Sequence, residues 1–458
     1  MYKIDFNKGG LKAHFIGIGG ISMSGLAEIL LDKGFEVSGS DRAESDLTRH
    51  LETLGAEISC PQKADNIRSD TDFFVYTAAV HPDNPEFAAA MATGKPILKR
   101  AELLGQIMDL FKESIAVAGT HGKTTTTSMI SQIMLTASMD PTISVGAELP
   151  AIKSNVRAGH SPYFIAEACE YTDSFLSLYP KYEVILNIDA EHLDYFKTLD
   201  NERKSFNHFI SNDKEDGIVF INGSINNLDE ITSGRKVVTF GLGEKNDYHP
   251  EDIRFEKGCG SFIPVAFGEK LGRVSLSVPG EHNISNALAA IAVTRCLNVP
   301  YEKIVSGLKI FGGAERRFEY IGKTKSGCTV IDDYAHHPTE IKATLKAALN
   351  FPHNRLIVCF QPHTYTRTKA FLSDFADALS LADIIVLADI YAAREKDIYG
   401  VSSDDIRKLL VLKNKTCYYF HTFDEIVDFL KKNCMNNDLL ITMGAGNVTE
   451  IGPRVISQ

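Results

Sequence analysis

The chain has 458 residues, of which 44% are hydrophobic and 23% are charged, and its formal net charge is −11. This length predicts two to four domains, each large enough to bury its own core, and the composition is ordinary for globular folds. The acidic balance argues against nonspecific binding to nucleic acid. Any anionic substrate must therefore be met by local clusters of hydrogen-bond donors and cations.

Cysteine usage and hydropathy bear on where the protein works. Eight cysteines are scattered along the chain without a C-x-x-C pair, which predicts reduced core residues rather than disulfides or a zinc site. The N-terminus shows no signal-peptide pattern, and no run of 18 or more apolar residues indicates a membrane span. We therefore expect a cytoplasmic protein without a membrane span and without a nucleic-acid partner.

Strand-like runs alternate with helical patterns along the whole chain, which favours α/β domains with mostly parallel sheets. We predict three such domains, at residues 1–102, 103–313 and 314–458. Within the second, the polar, turn-rich stretch near 222–280 is expected to be rich in strands, and 280–297 is expected to form a helix.

The first domain opens on a glycine turn between a predicted strand and a predicted helix. The run Gly17-Ile18-Gly19-Gly20-Ile21-Ser22 nearly matches the dinucleotide-binding fingerprint, with Ser22 where a third glycine would lie. Asp41 closes the next strand at the spacing expected of an acid that meets a ribose hydroxyl. The pattern predicts a Rossmann-like domain that binds a diphosphate-linked nucleoside. A nicotinamide dehydrogenase, or a turn without a ligand, stays open on these residues alone.

The second domain opens on the run Gly119-Thr120-His121-Gly122-Lys123-Thr124-Thr125, between an apolar strand and a Thr-rich helix start. Glycines let backbone N–H groups turn inward around phosphate oxygens, and the helix aims its positive end at the same place. Lys123 adds a point charge, and the Thr124 hydroxyl suits Mg²⁺. The Walker A pattern has a glycine where this chain has Val117, so the loop is a shorter G-x-x-G-K-T form. We predict a P-loop ATPase-like central domain.

Two further strand ends carry candidate metal ligands. Glu167 ends the run YFIAEA, and His192 follows EVILNI in the segment NIDAEHLD. A parallel sheet brings such strand ends to the edge that holds the phosphate loop. Glu167 could then hold Mg²⁺ as a Walker B acid does, with Glu170 and Asp173 as alternates, and His192 could serve a second metal. A capping role for Glu167 and a surface position for His192 stay open.

The helix predicted at 280–297 opens with His282, Asn283 and Asn286, whose side chains could read an adenine edge or merely cap the helix. Arg316-Arg317 lies at the presumed junction of the second and third domains. These arginines could close on phosphate, or they could be a solvated pair in a linker.

The third domain carries polar segments after two of its predicted strands. The first is Asp333-Tyr334-Ala335-His336-His337, and the second, QPHTYTRT, contains His363 and Arg367. Neighbouring strand ends with these groups could hold a small carboxylate, for which Arg367 is the best fork. The histidines do not have zinc-site spacing. Either segment alone could be an ordinary polar loop, but the pair favours a site.

Taken together, these segments resemble the Mur ligases. The segments that carry the resemblance are HFIGIGGISMSGLAEIL, AGTHGKTTTT, EACEYTDSFL, NIDAEHLD, GEHNISNA, DDYAHHPTE and FQPHTYTRT. They span all three predicted domains in the family's order, so the resemblance covers nearly the whole chain. It implies a Rossmann-like N-terminal domain that binds UDP-sugar, a central ATP-binding domain, and a Rossmann-like C-terminal domain that binds the amino acid.

The resemblance also implies roles for individual residues. The implied ATP-binding residues are Gly119, Thr120, His121, Gly122, Lys123, Thr124, Thr125, His282, Asn283, Asn286, Arg317 and Asp333. The implied UDP-sugar-binding residues are Gly17, Gly19, Gly20, Ser22 and Asp41. The implied amino-acid-binding residues are Tyr334, His336, His363 and Arg367. The implied metal ligands are Thr124, Glu167 and His192, and the implied catalytic residues are Lys123, His192 and Glu167. Some family members have Arg where this chain has Thr364, so the amino-acid carboxylate is expected to depend more on Arg367.

The implied activity is ATP- and Mg²⁺-dependent ligation of L-alanine to the lactyl carboxylate of UDP-N-acetylmuramate through an acyl phosphate, in peptidoglycan precursor synthesis. His192 and His336 are candidate bases for the amine. The alternatives are a sister ligase for another amino acid or a muramyl peptide, a nicotinamide dehydrogenase, and a non-catalytic relative. The expected partners are UDP-N-acetylmuramate, L-alanine and ATP, and the chain is expected to be a monomer or a weak homodimer.

Overall fold

In a computed structural model of the chain, the structure describes residues 2–457 except 78, 213, 215, 233 and 394, and only the backbone of residues 193 and 194. The chain divides into two compact units. The first comprises Met1–Tyr248 with Ala289–Gly307, and the second comprises His249–Leu288 with Leu308–Gln458. No helix in the described part of the chain is both long and apolar enough to cross a bilayer.

The first unit begins with a parallel sheet in the order β3-β2-β1-β4-β5. Its strands are β1 (Lys12–Ile16), β2 (Glu36–Ser40), β3 (Glu57–Ser59), β4 (Phe73–Tyr76) and β5 (Ile97–Lys99). Its helices are α1 (Ile21–Asp32), α2 (Asp46–Thr53), α3 (Pro85–Ala92) and α4 (Arg100–Met108). The glycine turn Gly17–Gly20 therefore lies where β1 gives way to α1, as the sequence predicts.

The same unit contains the larger part of a second, 11-stranded sheet. These strands follow the order β12-β11-β10-β6-β9-β7-β8 and are parallel except for the antiparallel edge strand β8. Its strands are β6 (Glu113–Ala118), β7 (Thr142–Leu149), β8 (Ser154–Arg157), β9 (Tyr163–Glu167), β10 (Tyr182–Ile185), β11 (Ile218–Asn222) and β12 (Val237–Phe240). Its helices are α5 (Lys123–Thr136), α6 (Leu193–Phe196), α7 (Leu199–Ser211) and α8 (Leu228–Thr232). A short 3₁₀ segment, Tyr171–Ser177, follows β9.

Strands and two helices follow where the sequence predicts a β-rich stretch and a helix. The strands are β13 (Tyr248–Glu256), β14 (Cys259–Ala266), β15 (Glu269–Lys270) and β16 (Val274–Pro279), and the helices are α9 (His282–Cys296) and α10 (Tyr301–Ile310). Strand β14 pairs antiparallel with both β15 and β16. Both predictions for this stretch are confirmed.

The rest of the second unit is a sheet in the order β17-β18-β22-β19-β20-β21, parallel except for the edge strand β17. Its strands are β17 (Glu319–Lys323), β18 (Thr329–Asp333), β19 (Leu356–Phe360), β20 (Ile384–Leu387), β21 (Thr416–Tyr419) and β22 (Leu439–Met443). Its helices are α11 (Pro338–Leu349), α12 (Tyr365–Ala370), α13 (Leu372–Leu379), α14 (Ser403–Leu412), α15 (Phe423–Asn433) and α16 (Ile451–Ile456).

Alternate residues of this last sheet enter two different cores. Leu356 and Val358 of β19 pack in one buried cluster, whereas Ile357 and Cys359 pack in another. Successive side chains of a strand point to opposite faces, so a strand that is apolar throughout must be covered on both faces. The predicted α/β class, with three mostly parallel sheets, is confirmed. The predicted domain boundaries after residues 102 and 313 stay a prediction.

We predict that Gly105→Ala destabilises the first unit. Gly105 lies in α4, and an ideal Cβ there would be 1.9 Å from the carbonyl oxygen of Ser177. Backbone must shift to admit it, which costs about 2 kcal/mol of the free energy of unfolding. Denaturant unfolding measures this loss. Gly452→Ala in α16 is the control, because a Cβ there meets nothing nearer than 3.5 Å. Equal unfolding free energies for the two variants would contradict the prediction.

Candidate functional site

The loop between β6 and α5 has the backbone shape that its glycines predict. Gly119 has a φ of +137° and Gly122 a φ of +87°, and α5 begins directly after Gly122. A Cβ at Gly119 would be 3.0 Å from Cβ of Leu186 and 3.1 Å from the backbone nitrogen of Asn187. The loop therefore lies directly against the chain that follows β10, and a larger residue at 119 would separate the two.

Side chains after β10 fix this loop in place. The Asn187 amide accepts from the His121 N–H at 2.7 Å and donates to the His121 carbonyl at 2.9 Å. The Thr120 hydroxyl accepts from the Asp189 N–H at 2.9 Å. The loop is thus held by a neighbouring strand end before any ligand binds. Asn187 was not among the predicted site residues. Its only sequence signal is an amide side chain two residues after the buried strand β10.

Lys123 lies at the first position of α5 and is bound on several sides. Its Nζ donates to the carbonyl oxygens of Gly119 at 2.6 Å and Thr120 at 3.1 Å, and it lies 2.9 Å from Glu170 Oε2. Burial is the largest single influence and acts to lower the pKa of Lys123, but the charges of Glu170, Cys169 and Glu167, with the hydrogen bond to Glu170, together outweigh it and raise the pKa. The ammonium group is therefore fully charged at neutral pH.

Thr124, the residue after Lys123, contacts Glu167 in the structure. The sequence predicts that these two residues lie at the same sheet edge. The Thr124 hydroxyl donates to Glu167 Oε2 at 2.9 Å, and the Gly146 N–H donates to the same oxygen at 2.9 Å. Glu167 is the last residue of β9, which pairs parallel with β6. The two oxygen-bearing side chains thus lie at the carboxyl edge of the sheet, where a parallel arrangement places them.

Glu170 joins two of the predicted catalytic residues. It contacts Lys123, and its Oε1 lies 3.6 Å from Nε2 of His192, while only 1% of its side chain is exposed. Burial acts to raise the pKa of Glu170, but Lys123 and His192 hold it below its ordinary value. His192 itself has a φ of +51° and its ring lies 4.5 Å from that of Tyr171. The structure therefore brings Lys123, Glu170 and His192 together.

The two alternates to Glu167 have distinct surroundings. Glu170 binds Lys123, whereas Asp173 accepts a hydrogen bond from the Tyr195 hydroxyl at 2.6 Å and also contacts the Ser205 hydroxyl. Across the described residues, no group of three or more His, Cys, Asp or Glu side chains is arranged to hold a metal ion. A cation at this edge would need oxygen atoms from a ligand or from water as well.

A second buried carboxyl, Glu202 of α7, lies behind the His192 turn. Its Oε2 accepts from the Glu191 N–H at 3.2 Å, and its Oε1 has no hydrogen-bond partner in the described part of the chain. Burial, with the charges of Glu170, Glu191 and Asp189, raises the pKa of Glu202 to about 8, although the Glu191 N–H lowers it. This carboxyl is therefore protonated at neutral pH. Sequence reasoning did not identify it.

The glycine turn of the first sheet is closed by Asp41. Gly17, with a φ of +86°, donates its N–H to the Ser40 carbonyl at 2.8 Å, and the Gly19 N–H donates to Asp41 Oδ2 at 2.8 Å. Gly20 caps the N-terminus of α1, and Ser22 lies in its first turn. The five predicted UDP-sugar residues thus lie at the neighbouring ends of β1 and β2, and the Asp41 carboxylate accepts a hydrogen bond from the turn itself.

In the second unit, two of the predicted nucleotide residues, Asp333 and His282, both lie under the influence of Arg317. The Asp333 carboxylate accepts from the N–H groups of Phe318 at 2.9 Å and Ala335 at 2.8 Å. Burial raises the pKa of Asp333 to about 6 against the charge of Arg317. Burial, reinforced by the same arginine, lowers the pKa of His282 to about 4. His282 is therefore neutral at pH 7.

The two amides of α9 form a buried pair. Asn283 donates to the Pro279 carbonyl at 2.7 Å and accepts from the Asn286 amide at 3.0 Å. Both lie at the start of the helix that His282 opens. These contacts are with the carbonyl of the preceding strand and with the other amide, not with N–H groups of the helix, so they do not show capping. An adenine-reading role stays a prediction.

The two junction arginines have different environments. Arg316 donates to Asp332 Oδ2 at 2.8 Å and to the Gly444 carbonyl at 2.6 Å, which fixes it inside the unit. Both guanidinium groups lie over the Tyr334 ring, at 5.0 Å from its centre for Arg316 and 5.1 Å for Arg317. Arg317 also lies close enough to Asp333 and His282 to influence the pKa of each. Its role in ATP binding stays a prediction.

The predicted amino-acid residues form a row of rings ending in an arginine. The Tyr334 and His336 ring centres are 5.4 Å apart, and those of His336 and His363 are 5.8 Å apart. Arg367 Nη1 lies 3.1 Å from His363 Nδ1. Strands β18 and β19 both pair with β22, so the loops that carry these groups leave the same sheet edge. The structure brings all four residues together.

Two residues near this row were not predicted. Tyr391 stacks on His363 with ring centres 5.6 Å apart, and Glu395 accepts from the Thr366 N–H at 2.9 Å. Both follow β20, in a segment without a motif of its own. They lie near the row because β20 pairs with β19 in the sheet, and this pairing is not evident from the sequence.

These sheets and loops define the class: an α/β protein of three parallel-sheet domains with a glycine-rich strand–loop–helix of the phosphate-binding type in the middle one. Family models for three Mur ligase domains match the chain along its length. They are the Mur ligase family catalytic domain at residues 12–112, the Mur ligase middle domain at 117–294, and the Mur ligase glutamate ligase domain at 316–446. The chain belongs to the Mur ligase family.

Full-length relatives place it within that family. A UDP-N-acetylmuramate–L-alanine ligase of Agathobacter rectalis is 59% identical over 461 residues, covering 100% of both chains. A ligase of the same name from Caldanaerobacter subterraneus is 51% identical over 450 residues, covering 98% of this chain and 97% of that one. The crystal structure of a UDP-N-acetylmuramate–alanine ligase from Thermotoga maritima has a TM-score of 0.82 at 31% identity, covering 97% and 98% of the two chains.

We predict that Glu202→Gln flattens the decline of stability with pH. Folded Glu202 keeps its proton to about pH 8, while the unfolded side chain releases its own near the ordinary value of 4.5. In this window the folded state binds more protons, so the free energy of unfolding falls as pH rises. Glutamine cannot ionise, so the variant does not lose this part of the free energy of unfolding as pH rises. Denaturant unfolding at several pH values measures the slope.

Glu244→Gln, at an exposed glutamate of the same unit, is the control for this prediction and should keep the wild-type slope. If Glu202→Gln also kept that slope, Glu202 would be ionised in the folded protein, and the assignment of a protonated Glu202 would be wrong.

Proposed function

We propose that the chain is an ATP-dependent ligase that joins L-alanine to the lactyl carboxylate of UDP-N-acetylmuramate. The contacts that link Lys123, Glu170 and His192, next to the Thr124–Glu167 pair, carry this proposal. They place a cation, a hydroxyl and acidic groups around one glycine loop, as phosphoryl transfer from a nucleotide requires. The shared name of the full-length relatives supports L-alanine over the sister-ligase alternative.

The three sheets divide the substrates among them in this proposal. The Gly17–Gly20 turn with Asp41 takes the diphosphate and ribose of the UDP-sugar, which accounts for a dinucleotide-like fingerprint without hydride chemistry. The Gly119–Gly122 loop takes the phosphates of ATP. A nicotinamide dehydrogenase would leave Lys123 and the row of rings in the second unit without a role, so the ligase explains more of the chain.

The reaction follows from the poor reactivity of a carboxylate toward an amine. A lactyl oxygen attacks the γ-phosphorus of ATP, the bond to the leaving oxygen of ADP breaks, and an acyl phosphate forms. The L-alanine nitrogen then attacks the acyl carbon and loses a proton, and the bond to phosphate breaks. Lys123, held charged by its surroundings, stabilises the negative charge that develops on the transferred group.

Mg²⁺ fits the residues at the loop. Thr124 and Glu167 offer oxygen atoms 2.9 Å apart, and Mg²⁺ is usually held by one or two protein oxygens with phosphates and water completing its shell. When bound, the ion supplies positive charge that offsets repulsion between triphosphate and carboxylate. We assign Thr124 and Glu167 to this ion and His192, beside Glu170, to a second one.

In the second unit, Arg367 and His363 take the carboxylate of L-alanine. Arg367 offers paired donors in a fixed fork, which match the two oxygens of a carboxylate. Tyr334 and His336 complete the same row, and His336 or His192 would accept the proton of the amine. His282, Asn283, Asn286, Arg317 and Asp333 take the nucleoside end of ATP.

We also propose where and in what form the enzyme works. The use of ATP and the scattered cysteines, which are expected to be reduced, support a cytoplasmic location. The enzyme needs only small-molecule partners, without nucleic acid, and acts as a monomer or a weak homodimer.

We predict that ADP release in the presence of UDP-N-acetylmuramate is stimulated by L-alanine above all other amino acids. The assay supplies ATP, Mg²⁺ and one amino acid at a time. Lys123→Met should lower kcat by about 10²–10³, the usual cost of removing one donor to a developing charge. Lys112→Met, at an exposed lysine just before β6, is the matched control. Stimulation by another amino acid or a muramyl peptide, but not by L-alanine, would show the substrate assignment to be wrong.

We predict that Arg367→Lys weakens L-alanine binding specifically. An ammonium group cannot replace the paired donors of a guanidinium, so KM for L-alanine should rise about tenfold or more. KM for ATP should stay near the wild-type value, because Arg367 belongs to the amino-acid row. Initial-rate kinetics in each substrate separate the two effects. Arg407→Lys, at an Arg407–Asp404 ion pair on α14, is the control, and a matching rise there would contradict the assignment.

A further inference from the structure

Residues 388–393 and 395–400, which follow β20, include groups that contact the start of α12. The Glu395 carboxylate accepts from the Thr366 N–H at 2.9 Å, and its other oxygen contacts the Thr366 hydroxyl. Thr366 lies one residue before Arg367. A carboxylate from a neighbouring strand end thus caps the turn that carries the proposed carboxylate fork.

Tyr391 holds the same turn from its other end. The Thr364 N–H donates to the Tyr391 carbonyl at 2.9 Å, and the Tyr391 N–H donates to the Pro362 carbonyl at 2.9 Å. The Tyr391 ring stacks on His363 at an interplanar angle of 21°. The segment therefore contacts the chain on both sides of His363.

This turn needs such support because its own capping is poor. Thr364 precedes α12 with a φ of +65°, a region that costs a β-branched residue about 1–3 kcal/mol. Its side chain makes no capping hydrogen bond to the helix. Glu395 supplies the missing acceptor for the first helical turn.

The loop after β22 limits where Tyr391 can go. An ideal Cβ at Gly446 would be 2.8 Å from Cγ of Tyr391. Glycine at 446 therefore lets the Tyr391 ring lie against the backbone, with His363 beside it. Loops from β19, β20 and β22 meet at this point.

We propose that Glu395, with Tyr391, is a positioning residue for the amino-acid pocket: it fixes the His363–Arg367 turn in the orientation that receives the α-carboxylate. This inference rests on the proposed function. The contacts of Glu395 given above are with Thr366, which is not itself a predicted amino-acid-binding residue. Glu395 acts through Thr366, so it controls binding of the amino acid and leaves the binding of ATP and UDP-sugar unaffected.

The test measures KM for L-alanine, ATP and UDP-N-acetylmuramate with purified full-length variants. Glu395→Ala should raise KM for L-alanine about tenfold while the other two KM values stay within about twofold, because both contacts of the carboxylate with Thr366 are lost. Glu395→Gln keeps an acceptor for the Thr366 N–H and should restore KM to within about threefold of wild type. Asp397→Ala is the matched control: its carboxylate binds the N–H groups of Tyr399 and Gly400 in the same segment.

Thr366→Val provides a second route to the same result. It removes the hydroxyl that Glu395 contacts but keeps the N–H. If Glu395 acts through Thr366, this change should also raise KM for L-alanine, and combining it with Glu395→Gln should give less than the product of the separate effects. If Glu395→Ala does not fold, the Thr366→Val and Glu395→Gln variants still test the proposal.

The outcomes separate the two proposals. A wild-type enzyme without L-alanine-dependent ADP release overturns the proposed function and this inference with it. An active wild type overturns only the inference if Glu395→Ala leaves KM for L-alanine unchanged, raises all three KM values together, or is matched by Asp397→Ala. Independent effects of the Thr366 and Glu395 variants overturn it as well.

Discussion

The buried ion pair between Lys123 and Glu170 is the interaction on which the geometry of the first unit depends. Removing two charges from water is costly, and the pair persists only because further hydrogen bonds satisfy it. The carbonyls of Gly119 and Thr120 supply those bonds to the ammonium group, and His192 supports the carboxylate. Glu170 therefore connects the glycine loop, through Lys123, to His192, the predicted metal-binding histidine. These contacts exist without a bound ligand.

Both units use the same physical device to assemble a site. Parallel strands end at a common edge, so residues far apart in sequence meet there without any local signal. In the first unit this edge joins the loop after β6 to segments that follow β9 and β10. In the second unit it joins segments that follow β18, β19, β20 and β22. Each segment is fixed by its neighbour: Asn187 holds the phosphate loop, and Glu395 holds the turn of Arg367.

This device also sets what the sequence could predict. Continuous apolar runs and glycine turns are local, so the α/β class, the loop before Lys123 and the strand-end position of Glu167 were all predictable. The acid that binds Lys123 was not, because EACEYTD offers several carboxylates and only the turn after β9 selects Glu170. Tyr391 and Glu395 carry no local pattern at all. Their role depends on the neighbouring positions of β19 and β20, which a single sequence does not reveal.

Two glutamates in the first unit illustrate why burial alone does not decide charge. Glu170 and Glu202 are both fully buried, and burial acts to raise the pKa of each. Glu170 has Lys123 within 3 Å and remains ionised. Glu202 has one backbone N–H and several negative neighbours, so it keeps its proton. An ionised Glu202 would add a further uncompensated charge to a region already crowded with carboxylates. Its neutrality therefore lets α7 pack behind the His192 turn while the negative charge stays with Glu170, where a cation can meet it.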